Sequence, residues 1–440
     1  MERIKDFTKG KVSTVLLDFF FPMLFTNFLQ QLYTFVDMVI VGKGLGDYAL
    51  AAVGNVSALT LLIVGFAQGI ANGFSVIIAQ SFGGRDMHVL RKSIALSIKL
   101  SMALSVILTA ISVFSLKRIL LVIQTDTTIL EDSRLYGYII FAGLTVTMAY
   151  NLCACILRAL GDSKTPFLAI IISSGLNILL DGMFIWGLKM GVEGAAIATV
   201  LAQLVSVVIC GIGLRKVPDI QPTREDFESD LMLYRMLLKN GIPMACMNSV
   251  TALGCMLVQA YVNGLGVAYT SAYSACNRYV NLFMLPAVTV GFAVSAFTSQ
   301  NCGAKEYGRI KSGVRVGLVI GVVSYLVLGM VMILFPKAMA HLLLNGRQAI
   351  ELTADFLQIC GSMFFLLNFL FVYRSAVQGM GKPFVPMYSG LLEMMVRILV
   401  IILLLPRIGF RATAYAEVLA WLGAVLVNLG AYLKDIRKKY

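Results

Sequence analysis

The sequence predicts an all-α integral membrane protein of twelve transmembrane helices, arranged as two parallel six-helix repeats. Three observations carry that prediction: an apolar composition, long stretches without charge, and self-similarity between the two halves. Apolar residues make up 59% of the 440 residues, charged residues only 13%, and mean hydropathy is +0.85. A soluble chain carries about a quarter charged residues. Segments 49–82, 135–157, 194–214, 279–304, 316–336 and 356–373 contain no charge. A helix of about 20 apolar residues crosses the hydrocarbon core, so these stretches meet or approach a span and leave no room for a sizeable soluble domain.

Helix one is expected over 12–41, after a basic leader (Arg3, Lys5, Lys9, Lys11). The apolar run that follows is too long for the core of a cleavable signal. Helices two and three follow over 48–81 and 92–116. The fourth, 134–158, is bounded by Arg134 and Arg158, and the fifth and sixth occupy 165–188 and 192–214. The mixed-sign stretch that begins at Arg215 and includes Pro218, Pro222 and Asp226 reads as a cytoplasmic linker. The second half supplies 238–263, 270–301, 314–336, 354–379, 383–406 and 410–433. Domain boundaries are therefore expected at 1–214, 215–237 for the linker, and 238–440.

The gap between 263 and 270 is weakly marked, and the repeat is what supports it. At an offset of about 220, Gln80-Ser-Phe-Gly83-Gly-Arg85-Asp86 corresponds to Gln300-Asn-Cys-Gly303-Ala-Lys305-Glu306. Gly44-Leu-Gly46 corresponds to Gly264-Leu-Gly266, Pro22 to Pro243, and 191–202 to 409–420. Six helices is an even number, so both halves enter from the same side and the repeats are parallel. Two thirds of the 36 lysines and arginines fall on the side of the termini, which places both ends in the cytoplasm. The net charge of +13 is explained by those loops and does not call for nucleic acid as a partner. Eight cysteines without metal-ligand spacing read as reduced packing residues.

Charges deep in the bilayer cost several kcal/mol each on insertion scales and need a reason. Asp37 lies in helix one, with Tyr33 one turn and Gln30 about two turns before it on the same face. Asp181 lies in helix five with Asn177 one turn earlier, and Thr199 in helix six completes a set of oxygen ligands. Carboxylate, amide and hydroxyl oxygens suit a proton or a hard monovalent cation. In the second half, Glu393 and Arg397 are spaced to neutralise each other within one helix. Glu417, equivalent to Thr199, is expected to pair with Arg411 or to line a cavity. Lys99 and Arg278 are expected to snorkel or to pair with carbonyls. No phosphate-binding loop is present, so energy must come from an ion gradient or from the substrate. The Gly44-Leu-Gly46-Asp47 string of membrane aspartyl proteases lacks its Tyr-Asp partner, and no enzyme is predicted.

Pro22, Asp37-Met-Val-Ile-Val-Gly42, the Gln80 block, Arg158-Ala-Leu-Gly-Asp-Ser-Lys-Thr-Pro166, Asn177-Ile-Leu-Leu-Asp181 and 191–203 together resemble the multidrug and toxic compound extrusion (MATE) transporters along essentially the whole chain. The resemblance implies two bundles around a V-shaped cleft in the cell (inner) membrane. A monomer there would exchange H+ or Na+ inward for a drug-like organic cation outward, with no other cofactor. It carries the coupling-ion role onto Asp37, Asn177, Asp181 and Thr199. Gln30, Tyr33 and Asn151 follow as cleft-lining positions, joined by Gln259 and Glu417 from the second half, and Pro22 matches a proline at which helix one bends. One branch of the family has further carboxylates on helices seven and ten. Here helix seven offers Gln259 and helix ten only Asp355 at its entrance, which favours coupling in the first lobe. The alternative is a flippase for a lipid-linked oligosaccharide. It would need a dense cationic cleft, for which the chain offers Lys99, Arg278 and Arg397. A major-facilitator carrier would require a basic residue after Asp86, where Met87 stands.

Overall fold

The computed structural model describes residues 4–123 and 125–439; Arg3 of the basic leader lies outside them. The helices are α1 (Val12–Leu45), α2 (Asp47–Gly83), α3 (Met87–Val122), α4 (Thr127–Ala142), α5 (Leu144–Ala159), α6 (Lys164–Asp181), α7 (Val192–Arg215) and α8 (Leu231–Asn263). They continue as α9 (Val267–Phe283), α10 (Leu285–Gly303), α11 (Tyr307–Leu334), α12 (Pro336–Leu343), α13 (Arg347–Ser362), α14 (Phe364–Gly379), α15 (Phe384–Ile408) and α16 (Arg411–Lys439). Among the described residues, nine helical segments are long and apolar enough to cross a membrane, and two bent pairs bring the number to eleven. The 25-residue α15 occupies the place of the predicted eleventh helix. At about 1.5 Å per residue it is long enough to cross a core of roughly 30 Å.

Two spans read from the sequence as single helices, 134–158 and 354–379, are broken. α4 and α5 meet at 45°, α13 and α14 at 51°, with the breaks at Gly143 and Met363, 220 residues apart. At Gly143 an added Cβ would stand 2.6 Å from Val200 Cγ2, so only glycine lets α7 close onto the junction. The eighth span also divides, between α9 and α10, where Pro286 cannot donate a helical hydrogen bond. The helices also run past their apolar cores into charged ends: α3 starts at Met87, α11 at Tyr307 and α13 at Arg347. The short helix α12 was not expected.

The duplication is written into the backbone. Left-handed residues recur at a spacing of 220: Gly46 (φ 90°) and Gly266 (φ 111°), Arg85 (58°) and Lys305 (61°), Gly161 (84°) and Gly381 (77°). The first pair makes the tight turns before α2 and α9, which confirms the weakly marked gap. Burial repeats as well. Pro166, Ala169, Ile170, Ser173, Asn177 and Asp181 of α6 are buried, as are Pro386, Ser389, Gly390, Glu393, Arg397 and Ile401 of α15. From α7 to α16 the matching offset drops to 218. The difference falls where a π-helical segment, Gly182–Gly187, directly follows Asp181.

The contacts divide the chain into two units. One holds residues 4–6 and Phe21–Ala245, the other Phe7–Phe20 and 246–439. α1 and α8 thus each change unit within three residues of Pro22 and Pro243. In the first unit, α2 packs directly on the start of α8: a Cβ added at Gly73 would lie 2.4 Å from Gly241 Cα. The linker is held by α3 in that unit. Arg91 meets Asp226 at 3.5 Å, Lys92 meets Asp230 at 3.3 Å, and Lys99 donates to the Phe227 carbonyl. In the second unit the leader is anchored by the repeated block. Phe7 N–H donates to Gln300 Oε1 (2.8 Å), Asn301 Nδ2 donates to the Phe7 carbonyl (3.1 Å), and Arg309 donates to the carbonyls of Phe7, Lys9 and Gly10 (3.0 Å each).

Candidate functional site

The first unit gathers its deep polar side chains at one place. α1 contributes Tyr33 and Asp37, α6 contributes Asn177 and Asp181, and α7 contributes Thr199. Asn177 and Asp181 are fully buried. With its amide oriented to suit its neighbours, Asn177 donates to Asp181 Oδ2 at 2.8 Å and accepts from Thr199 N–H at 3.2 Å. The carboxyls of Asp37 and Asp181 lie within hydrogen-bonding reach of each other, and the Tyr33 hydroxyl reaches Thr199. One oxygen of each carboxyl, Asp37 Oδ1 and Asp181 Oδ1, is buried without a hydrogen-bond partner among the described residues. Two ionised carboxylates in contact away from water repel strongly. A proton or a monovalent cation between two such groups removes that repulsion.

Beside this cluster is a cavity of about 280 Å³ lined by Ser57, Thr60, Tyr136, Thr147, Thr199 and Gln203. Thr199 belongs to both, so the carboxyl pair and the cavity share a wall. Nothing in the sequence marks Ser57, Thr60 or Gln203, because hydroxyl and amide residues are common in apolar helices. Of the remaining predicted residues, Asn151 donates to its own helix carbonyl at Thr147 (3.0 Å) and joins the cavity wall only through that residue. Gln30 is exposed on α1 and joins none of the cluster's recorded contacts among the described residues. Gln259 bonds Asn263 one turn on (2.8 Å). Pro22 sits inside a continuous α1, with Thr26 Oγ1 donating to its carbonyl at 2.8 Å.

In the second unit the expected Glu393–Arg397 pair is one edge of a buried network. Arg397 binds Glu417 twice, Nε to Oε1 at 3.1 Å and Nη2 to Oε2 at 2.9 Å, and reaches Glu393 at only 3.7 Å. Glu393 is held by Arg374 instead. Glu417 therefore pairs with Arg397 and not with Arg411, which binds Asp355 at 2.9 Å, and at 7% exposure it is no open cavity wall. The expected pair is present but is not the tightest contact, because two neighbouring helices bring Arg374 and Glu417 closer than the intrahelical geometry brings Glu393 to Arg397. Arg374 itself was missed, although an arginine inside the apolar tenth span is a signal of the kind that singled out Asp37.

Duplicated bundles of membrane-length helices, one of them enclosing a carboxyl pair with open oxygens, define a secondary transporter. The MatE family model matches residues 22–183 and 243–403, once in each half. The probable multidrug resistance protein YoeA of Bacillus subtilis (strain 168) is 31% identical over 353 residues, which is 78% of this chain and 75% of that protein. An FAD transporter of Shewanella oneidensis is 22% identical over 90% of this chain and 88% of its own length. A crystal structure of MATE in complex with MaL6 superposes with a TM-score of 0.91 at 22% identity, covering 99% and 98% of the two chains. The chain belongs to the MatE family of multidrug and toxic compound extrusion transporters: a multi-pass membrane protein, an ion-coupled antiporter of small molecules and not an enzyme.

Proposed function

We propose that the chain takes up one monovalent cation, H+ or Na+, at Asp37 and Asp181 and uses its inward movement to export a small, drug-like organic cation. The observation that carries this reading is the pair of contacting carboxyls, each with an unpartnered buried oxygen, beside a cavity whose wall they share through Thr199. Asn177 orients Asp181, and Thr199 passes changes in the ion site to the cavity wall. The excess of basic residues on the terminal side supports both ends in the cytoplasm. We take the transporting unit to be a monomer in the cell membrane, with repeats at 1–214 and 238–440 joined by 215–237. The flippase alternative loses support because two of its three cations are engaged: Lys99 by the Phe227 carbonyl and Arg397 by Glu417.

Purified protein in liposomes, given a pH gradient or a sodium gradient in separate trials, tests the proposal and assigns the ion. The substrate panel should include organic cations and, because of the Shewanella relative, FAD. If neither gradient drives export of any compound on the panel, the coupling reading is wrong.

A further inference from the structure

The second unit has a cavity of about 300 Å³ that plays no part in the proposed transport site. Lys311 and Arg315 of α11, Arg437 of α16, and the tyrosines 373 and 432 line it. All three cationic side chains are exposed, and no acidic residue shares the lining. The acid nearest in sequence on α16, Asp435, is buried and bound by Lys382, so its charge is already answered. Arg315 and Arg437 make no ion pair among the described residues. Tyr373 and Tyr432 pack together with ring centroids 5.6 Å apart, joining α14 to α16 in the wall of the cavity.

Basic residues at helix ends are ordinary in membrane proteins, and the positive-inside tendency accounts for most of them. Here they converge from two helices on one concave site, and the surface that continues from it is apolar. On α11, Lys311 and Arg315 are followed at intervals of three or four residues by Val319, Val322 and Leu326, which lie on the same face. Val319 is 62% exposed and Leu326 50%. Cations at the end of a span and a lipid-facing apolar track above them match an amphiphile with an anionic head and acyl tails. A free phosphate could use the cations but not the track.

We propose that the cleft between α11, α14 and α16 binds the headgroup of an anionic phospholipid from the leaflet on the side of the chain termini, with its acyl chain along Val319, Val322 and Leu326. Basic pockets between helices at that interface bind such headgroups by charge, each cation near the surface contributing about fivefold in affinity. The inference is independent of the ion-coupling reading.

The test is native mass spectrometry of the purified full chain in detergent, titrated with phosphatidylglycerol or phosphatidylcholine. Phosphatidylglycerol should be retained preferentially. The triple variant Lys311→Gln, Arg315→Gln, Arg437→Gln should lose its retention by on the order of a hundredfold. Lys434→Gln with Lys438→Gln, which removes two exposed charges of α16 outside the cavity lining, should change it by less than about twofold. If the triple variant does not fold, Arg315→Gln alone should show about a fivefold loss. Equal retention of the two lipids, an equal loss in the α16 control, or displacement of the lipid by inorganic phosphate at matching concentration would each overturn the proposal.

Discussion

Arg397 and Glu417 touch in the second unit at the positions that Asn177 and Thr199 occupy in the first. The burial registers place Arg397 220 residues after Asn177 and Glu417 218 after Thr199. Where the first repeat holds an amide, a backbone donor and a carboxyl with an open oxygen, the second holds a guanidinium gripped by a carboxylate, and Ile401 stands in the place of Asp181. The same junction between two helices is thus polar in both halves, but only the second carries a guanidinium of its own there.

That arrangement predicts a strong double-mutant coupling. Arg397→Asn or Glu417→Thr alone leaves a buried charge with too few partners and should destabilise by about 3–5 kcal/mol. The double variant removes opposite charges and keeps Arg374 with Glu393, so it should recover most of that loss. Thermal unfolding of the four proteins in detergent measures the cycle; additive losses would mean that the pair does not act as a unit. Glu393→Gln, which strips a partner from both arginines, should likewise reduce folded yield more than ion coupling.

Asp37→Asn and Asp181→Asn should each yield folded protein that no longer exports in response to an ion gradient. Asparagine keeps the shape and hydrogen bonding but cannot gain or lose charge. One charge moved through 100 mV is worth roughly 2.3 kcal/mol, and a ligand shifts a conformational balance only by its differential affinity for the two states. Gradient-driven export in liposomes reads the effect; normal export by both variants at normal expression would place the coupling site elsewhere.

The linker should release in acid. Leu233 N–H and Lys92 hold the Asp230 carboxyl below its usual range against the effect of burial. At Asp226 burial acts the other way, but the Thr223 N–H and hydroxyl with Arg91 and His88 outweigh it and lower that carboxyl too. Groups lowered in the folded state add stability above the unfolded pKa and lose it as pH falls through the folded one. Protease resistance of 217–230 should therefore hold at neutral pH and fail below about pH 4, the ordinary aspartate range. Asp226→Asn should expose the segment already at pH 7.

Glycines separate into two kinds. Gly73→Ala must push α2 off the α8 backbone, and should lower stability by about 1–3 kcal/mol. Gly211→Ala, in α7 with nothing within 4 Å of the new Cβ, should be neutral or stabilising by up to about 1 kcal/mol. Melting temperatures in detergent compare them directly; a harmless Gly73 variant would mean that the α2–α8 contact is looser than described.

By itself the sequence determined the helical membrane architecture, the duplication, and the identity of Asp37, Asn177, Asp181 and Thr199 as residues needing an explanation. Those signals are local, since the energy of placing a charge in hydrocarbon and the rhythm of an apolar run can be read along one helix. The tertiary structure alone decided which charges meet. Arg374 takes Glu393 and Arg397 takes Glu417 because α14 and α16 present them at the right depth and rotation, which no spacing within α15 encodes. It likewise decided that Gly143 and Met363 are breaks and that the leader at Phe7 belongs with Gln300 and Asn301. Each depends on how closely helices distant in sequence approach, and a hydropathy pattern fixes which residues avoid water without fixing which of them become neighbours.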